Sequence, residues 1–204
     1  MKGCLIAIEG IDGSGTTTQS KLLYQWLIEK GIPAIHTEEP QANRPIGKLI
    51  RELLSHKEST PEVDALLFAA DRADHVARVI FPHISKGCVV VCDRYLESSV
   101  AYQTAQGLSL EWILEINKFA LPADLVVILD LPVELALSRL TGRSLEKFEN
   151  ASFLEEVRHN YLRRAAERGY PVVDASKPIE RVQAEIRQLV VERFPGLFKP
   201  SRKP

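Results

Sequence analysis

The chain has 204 residues, enough for one domain with a sizeable core, and 45% of them are hydrophobic while 26% are charged, as in ordinary globular proteins. With 26 basic and 27 acidic residues its formal net charge is −1, which argues against a general DNA or RNA binder but allows a local basic cleft for a small anion. No apolar run approaches the roughly 20 residues that span a bilayer, so we expect neither nucleic acid nor a membrane as a partner.

The three cysteines, Cys4, Cys88 and Cys92, all lie in apolar runs. An odd number in such surroundings predicts free, buried thiols in a reducing compartment, not a disulfide framework or a metal site. The first apolar run stops at Glu9, which is too early for a signal peptide. We therefore expect a cytoplasmic protein.

Short apolar runs alternate with longer segments of helical periodicity. The runs are apolar on both faces, which is typical of strands buried in a parallel sheet. They are Cys4–Ile8, the weaker Ala34–Thr37, Cys88–Cys92, Leu125–Leu129 and Tyr170–Val173. Helices are predicted before Gly31, from Pro61 to about Gly87, and over Leu110–Ala120, Val133–Leu140, Phe153–Arg168 and Ile179–Phe194. This order predicts a doubly wound α/β fold with a five-stranded parallel sheet in a single domain, 1–198, followed by a basic, flexible tail at 199–204.

A glycine-rich loop joins the first strand to the first helix. It reads Gly10-Ile11-Asp12-Gly13-Ser14-Gly15-Thr16-Thr17-Thr18. The glycines let successive backbone N–H groups point inward, and the helix N-terminus adds partial positive charge, so the loop is predicted to bind phosphate groups. Thr17 is placed to offer its hydroxyl to a magnesium ion.

The loop departs from the phosphate-loop signature at residue 16, where threonine replaces the lysine that usually reaches the terminal phosphates. Lys21 lies five residues farther on and is expected to face away from the loop. We still predict that the loop binds phosphates. The effect of the missing lysine on the catalytic rate stays open.

Further motifs follow along the chain: Leu66–Arg72, Asp93-Arg94-Tyr95, Ser98-Ser99, Ala101-Tyr102-Gln103, Glu146–Glu149 and Asp174-Ala175. Together with the glycine loop they resemble the thymidylate kinases, P-loop nucleoside monophosphate kinases that phosphorylate dTMP. The matching positions extend from residue 4 to about residue 190. The resemblance implies the same kinase fold, with the parallel sheet flanked by helices and a small lid at about 139–150.

Phe68 and Arg72 are four residues apart, so a helix would place them on one face. An aromatic ring and a planar guanidinium can stack on and hydrogen-bond one base, although taken alone the pair is better explained by a core phenylalanine and a solvated arginine. The resemblance implies that this pair stacks on thymine and reads its carbonyl edge.

Asp93 ends a buried strand and Arg94 follows it. A carboxylate at this end of a central strand lies beside the phosphate loop, where a magnesium ion is held, and an arginine there can grip a phosphate bidentately. The resemblance implies that Asp93 and Thr17 hold the metal and that Arg94 binds the dTMP phosphate. Asp130 also ends a strand and competes for the metal role.

The resemblance assigns four more side chains to dTMP. It implies that Asp12 binds the 3′-hydroxyl, that Ser99 lies beside the base, that Tyr102 packs near the sugar and that Gln103 lies at the same edge. A core position for Tyr102 and a turn-forming role for Asp12 remain alternatives, and Ser98 is interpreted as a local cap.

The lid contains three cations. They are Arg139, Arg143 and Lys147. Because no arginine lies between Gly10 and Gly15, the resemblance implies a catalytic arginine in the lid, with Arg143 as first choice and Arg139 and Lys147 behind it as ATP contacts. A solvated basic loop is the alternative. Glu38 occupies a position where the family often has arginine, and Arg44 is a candidate replacement.

The expected reaction transfers the γ-phosphoryl of ATP to dTMP with Mg²⁺, giving dTDP and ADP, in a homodimer. Thr16 motivates a rival, a nucleotide-binding protein with weak or no kinase activity. A kinase for another pyrimidine monophosphate, such as dUMP, is a third interpretation, because the room for the thymine methyl group depends on the shape of the site.

Overall fold

A computed structural model describes residues 3–56, 59–140, 147–148 and 150–198. Five parallel strands form one sheet in the order β2-β3-β1-β4-β5. They are β1 (Cys4–Gly10), β2 (Ala34–Glu38), β3 (Val89–Asp93), β4 (Leu125–Asp130) and β5 (Val172–Asp174). The predicted α/β fold with a five-stranded parallel sheet is confirmed.

Helices flank this sheet and connect its strands. They are α1 (Thr16–Glu29), α2 (Pro45–His56), α3 (Pro61–His75), α4 (Phe81–Ser85), α5 (Leu96–Ala105), α6 (Leu110–Ile116), α7 (Val133–Arg139), α8 (Ala151–Arg168) and α9 (Ile179–Arg193). A π-helical stretch, Val76–Ile80, joins α3 to α4 without a break. Among the described residues, no helix has the length and apolar character needed to cross a bilayer.

The central strand, β1, positions the functional loops. It is buried along its whole length and pairs with β3 on one side and β4 on the other. Ile8 lies opposite Asp93 in this register. Because parallel strands end at the same edge of a sheet, the glycine loop after β1 emerges beside the Asp93-Arg94 turn after β3.

The sequence predicted most elements but left two helices out. Neither α2 nor α5 was predicted, and both carry residues of the cavity described below. The long segment from Pro61 is helical as expected, and Leu66, Ala70 and Ala77 are exposed along it. The cysteines are free, and Cys88 is only partly buried. The tail at 199–204 lies outside the described residues.

Candidate active site

One cavity of about 890 Å³ lies where the strands end. Its walls come from the glycine loop, the turn after β2, the Asp93-Arg94-Tyr95 turn, and side chains of α2, α3, α5 and α7. Of the described residues predicted for the site, the cavity is lined by Asp12, Gly13, Ser14, Gly15, Thr16, Thr17, Thr18, Phe68, Arg72, Asp93, Arg94, Ser99, Tyr102, Gln103 and Arg139. The structure therefore brings together segments far apart in sequence.

The glycine loop has the backbone geometry of an anion-binding turn. Gly13 and Gly15 have φ angles of 82° and 93°, a left-handed region that favours glycine, and Gly15 directly precedes α1. A Cβ atom on Gly13 would lie 2.3 Å from the carbonyl oxygen of Ala136, so this residue is also packed tightly against α7. The first residues of α1 line the cavity, so the helix N-terminus lies at the cavity, which suits a polyphosphate.

Thr17 and Asp93 meet across the floor of the cavity. The Thr17 hydroxyl donates a hydrogen bond to Asp93 Oδ2 over 2.5 Å. Asp93 Oδ1 is buried and has no hydrogen-bond partner among the described residues. A hydroxyl and an unsatisfied carboxylate oxygen are ligands that Mg²⁺ prefers, so these residues fit the predicted metal. Asp130 instead accepts two hydrogen bonds from Arg158, at 2.7 and 3.0 Å.

Arg94 stands between the glycine loop and α5. Its guanidinium donates to the Gly10 carbonyl over 2.7 Å and to Asp12 Oδ1 over 2.8 Å. Tyr102 donates its hydroxyl to Asp12 Oδ2 and lies under the Arg94 guanidinium, 5.4 Å from its centre. Tyr102 is buried and also lines the cavity. It therefore combines the core position and the site position that the sequence left as alternatives. Three of the predicted dTMP contacts form one hydrogen-bonded group.

Arg72 is almost fully buried, with 1% of its side chain exposed, and is held by an ion pair with Glu39 at 2.8 Å. It also donates to Asn117, to the Tyr95 carbonyl and to Ser99. These contacts fix the plane of the guanidinium, since both terminal nitrogens are engaged.

Two buried polar atoms, one in this guanidinium and one in a neighbouring side chain, lack a hydrogen-bond partner among the described residues. They are Arg72 Nε and Gln103 Oε1. One is a donor and the other an acceptor, and both residues line the cavity close to Phe68 and Ser99. Buried polar atoms without partners are costly, which indicates that a ligand with a complementary edge satisfies them.

Ser98 does not act as the local cap that the sequence suggested. Its hydroxyl donates to Glu9 Oε2 over 2.6 Å, and it accepts from Arg94 Nη1 at 3.3 Å. The Ser98 and Tyr161 hydroxyl oxygens are also joined by a hydrogen bond of 2.7 Å. Ser98 therefore links the buried carboxylate of Glu9 to the guanidinium of Arg94.

The lid cations are placed differently from one another. Arg139 donates to the Gly13 carbonyl at 3.3 Å and to the Ala175 carbonyl at 3.0 Å, so it lies against the glycine loop. Lys147 is bound instead to Asp64, at 2.7 Å, and to Ser59. Arg143, the preferred catalytic arginine, lies outside the described residues.

Glu38 occupies a position where an arginine was expected, and the basic residue that lies beside it is not the one that the sequence suggested. Arg44 forms an ion pair with Asp74 at 2.6 Å. Arg51 of α2 lies 3.7 Å from Glu38, and both side chains line the cavity. Arg51 escaped notice because α2 was not predicted, so nothing pointed this side chain toward the site.

Two buried carboxylates were also missed as site residues, and one of them, Glu39, lines the cavity. Glu39 accepts from His75 Nδ1 at 2.9 Å as well as pairing with Arg72, and His75 Nε2 meets Thr37 at 2.7 Å. Glu9 is buried at the end of β1 and contacts the segment after β3. For Glu9 the only available signal was a charged residue directly after an apolar run, because the partners of the two carboxylates lie 33 to 152 positions away in the sequence.

Comparison with known proteins agrees with this geometry. A family model described as thymidylate kinase matches residues 8–186. A probable thymidylate kinase of Pyrococcus horikoshii is 44% identical over 208 residues, covering 97% of this chain and 100% of that protein. One from Pyrobaculum aerophilum is 46% identical over 193 residues, covering 93% and 98%. The chain belongs to the thymidylate kinase family.

Proposed function

We propose that this protein transfers the γ-phosphoryl group of ATP to dTMP, giving dTDP and ADP. The observation that carries the proposal is the single cavity in which the glycine loop faces the Asp12–Arg94–Tyr102 group and the Arg72 and Gln103 pair. A donor phosphate on the loop and an acceptor phosphate on Arg94 would then lie side by side, with the acceptor base toward α3. Phosphoryl transfer needs such alignment and charge neutralisation more than it needs covalent chemistry.

Each part of the cavity has one task in this proposal. The loop, Thr16, Thr18 and Arg139 bind the ATP phosphates, and Lys147 joins them if the lid moves toward the loop. Arg94 orients the acceptor phosphate, while Asp12 and Tyr102 bind the sugar. Arg143 in the lid serves the transition state. The support comes from the hydrogen bonds of Arg94 and Arg139 to the loop.

We propose Thr17 and Asp93 as the residues that hold Mg²⁺. The support is the buried, unpartnered Oδ1 of Asp93 beside the Thr17 hydroxyl. When bound, the ion neutralises charge on the donor phosphates. In this arrangement Asp93 positions the Thr17 hydroxyl, and replacing Asp93 with asparagine should weaken Mg²⁺-dependent ATP binding measured by calorimetry.

The base is recognised by its hydrogen-bonding edge. The Arg72 Nε–H can donate to the O4 carbonyl of thymine, and Gln103 Oε1 can accept from N3–H. Uracil has the same edge, so dUMP remains an alternative acceptor. Cytosine presents an amino group at C4 and an acceptor at N3, and both would oppose the groups in the cavity. We therefore expect dCMP to be rejected by a factor of about 10⁴ relative to dTMP.

A coupled assay of ADP release with purified protein, ATP and Mg²⁺ tests the function. The expected order of kcat/KM is dTMP first, dUMP second and dCMP last, with dCMP about 10⁴-fold below dTMP. Absence of turnover above background with each acceptor, while ATP still binds, would favour the rival interpretation as a nucleotide-binding protein. The basis of that interpretation is the neutral Thr16 in the loop.

The assembly and setting also belong to this proposal. We propose one kinase domain over residues 1–198 with its lid at about 139–150, acting as a homodimer in the cytoplasm. The dimer is supported by exposed apolar residues along the α3–α4 segment, with Leu66 exposed by 51% and Phe81 by 57%. The three free cysteines suit a reducing compartment.

A further inference from the structure

Glu9 is a buried carboxylate that the proposed reaction leaves without a role. It is the last residue before Gly10 and is 0% exposed. Its Oε1 accepts a hydrogen bond from the Tyr95 amide at 2.8 Å. Its Oε2 accepts from the Ser98 hydroxyl at 2.6 Å and the Tyr161 hydroxyl at 3.2 Å. A carboxylate of this kind is rarely retained in a core without a specific purpose.

The partners of Glu9 are the groups that surround Arg94. Arg94 Nη1 donates to the Ser98 hydroxyl at 3.3 Å and to the Tyr161 hydroxyl at 3.5 Å. Tyr95 follows Arg94 directly in the chain. Glu9 therefore contacts Arg94 through its side-chain neighbours on one side and through its backbone neighbour on the other.

The backbone of Arg94 is in an unusual conformation. Its φ angle is 65°, the left-handed region that non-glycine residues seldom occupy. The amide of Arg94 donates to the Ile8 carbonyl at 2.9 Å, and the next amide, of Tyr95, donates to Glu9. Two consecutive residues of β1, Ile8 and Glu9, thus hold the backbone amides on either side of the strained Arg94 residue. Strain of this kind persists only where surrounding contacts enforce it.

We propose that Glu9 is a positioning residue for Arg94, fixing its strained backbone through the Tyr95 amide and its guanidinium through the Ser98 and Tyr161 hydroxyls. This inference rests on the proposed function, because the ligand of Arg94 is the phosphate of the nucleoside monophosphate. Glu9 itself is absent from the residues that line the cavity among those described, so it acts through its neighbours.

The charge of Glu9 supports this arrangement. Burial raises the pKa of its carboxyl to about 7, although Ser98 and Arg94 favour the charged form. The groups that face it are Cys92 from β3, Arg94 and Tyr95 from the turn, Glu97 and Ser98 from α5, and Tyr161 from α8. Below this pH a protonated Oε2 can no longer accept from both hydroxyls, so the hold on Arg94 weakens.

Glu9→Gln removes the charge while keeping the shape. We expect the KM for dTMP to rise about tenfold at pH 8, with the Kd for ATP, measured by calorimetry, unchanged. In the wild type, the KM for dTMP should rise as the pH falls through about 7, whereas in Glu9→Gln it should lack this component. The phosphate of dTMP titrates identically with both proteins, so the ratio of their KM values isolates Glu9.

Glu97→Gln is the matched control. Glu97 is also buried and lies on α5, but it pairs with Arg164 at 2.9 Å. The Glu97→Gln substitution should lower the melting temperature without a selective effect on the KM for dTMP. If Glu9→Gln does not fold, Tyr161→Phe takes its place, with an expected rise in that KM of about threefold.

Two results would overturn the inference. One is a Glu9→Gln protein with the wild-type KM and pH profile, and the other is an equal loss of affinity for ATP and dTMP, which would indicate a general structural role. Failure of the proposed function is distinguishable, because it would appear already in the wild type as an absence of dTMP turnover and dTMP binding.

Discussion

Single side chains in this protein are held by partners that are distant in sequence. Arg72 shows this most clearly, because its guanidinium is buried against Glu39, which lies 33 positions earlier and also binds His75. Breaking a buried ion pair leaves the remaining charge without compensation, which costs far more than the pair itself contributes. The base recognition proposed for Arg72 and the stability of the fold are therefore coupled at this residue.

Glu39→Gln should lower the free energy of unfolding by about 3–5 kcal/mol, because Arg72 would keep its buried charge without a counter-ion. The same substitution should reduce discrimination between dTMP and dCMP, since the guanidinium would no longer be fixed. Urea denaturation and the ratio of kcat/KM values measure the two effects. Glu38→Gln, at a neighbouring but partly exposed carboxylate, should change stability by less than about 1 kcal/mol. Equal effects of the two variants would contradict the prediction.

Thr16→Lys restores the charge that the phosphate-loop signature includes. We expect kcat with ATP to rise about tenfold, because an ammonium group at the start of α1 would stabilise charge on the transferred phosphoryl. Gln25→Lys adds the same charge on the exposed face of α1 and should leave kcat unchanged. A fall in kcat for Thr16→Lys would instead show that the site is arranged around a neutral residue.

At the scale of elements, the glycine loop depends on its packing against α7. Gly13→Ala should raise the Kd for ATP at least tenfold, because a Cβ atom would meet the Ala136 carbonyl oxygen at 2.3 Å in addition to the strain at φ 82°. Gly107→Ala is the control, since Gly107 has a φ of 91° but open space around its Cβ position. It should cost stability of about 1–2 kcal/mol and leave the Kd for ATP unchanged, as calorimetry would show. Similar Kd values for all three proteins would refute a packed loop.

The lid is the element proposed to supply the cation that stabilises the transition state. Arg143→Ala should lower kcat by about 10³-fold while the Kd for dTMP stays constant, because a cation that closes on the transferred phosphoryl acts only in the transition state. Single-turnover kinetics and calorimetry separate the two quantities. An unchanged kcat would move the role to Arg139 or Lys147.

The elements also show what a sequence pattern can and cannot reveal. The strands were predictable because β1, β3 and β4 are buried on both faces and read as continuous apolar runs. Helix α5 was missed since its segment mixes small and polar residues with almost no apolar side. Helical spacing predicted that Phe68 and Arg72 share a face, and both line the cavity from α3, but Glu39, His75 and Asn117 could not be predicted around them. Their contacts span 33 to 45 positions, and local periodicity carries no information about such distances.

For the whole molecule, the proposed dimer can be tested at the exposed apolar residues of the α3–α4 segment. Leu66→Lys should convert a dimer into a monomer in multi-angle light scattering, because a buried charge at a two-fold interface is met by its own copy. Val191→Lys, at an exposed apolar position of α9, should leave the mass unchanged. A monomeric wild type, or a dimeric Leu66→Lys protein, would exclude this surface as the interface.

The strand order has a consequence for biosynthesis. The first strand to leave the ribosome occupies the middle of the sheet, with Val89 and Leu125 as the first residues of its two partners to join it. The edge of β1 that pairs with β4 must therefore wait, unpaired, until more than half of the polypeptide has been translated. Topologies of this kind close slowly and expose aggregation-prone edges in the interval. Nascent chains arrested before β4 should for this reason be the species most dependent on chaperones.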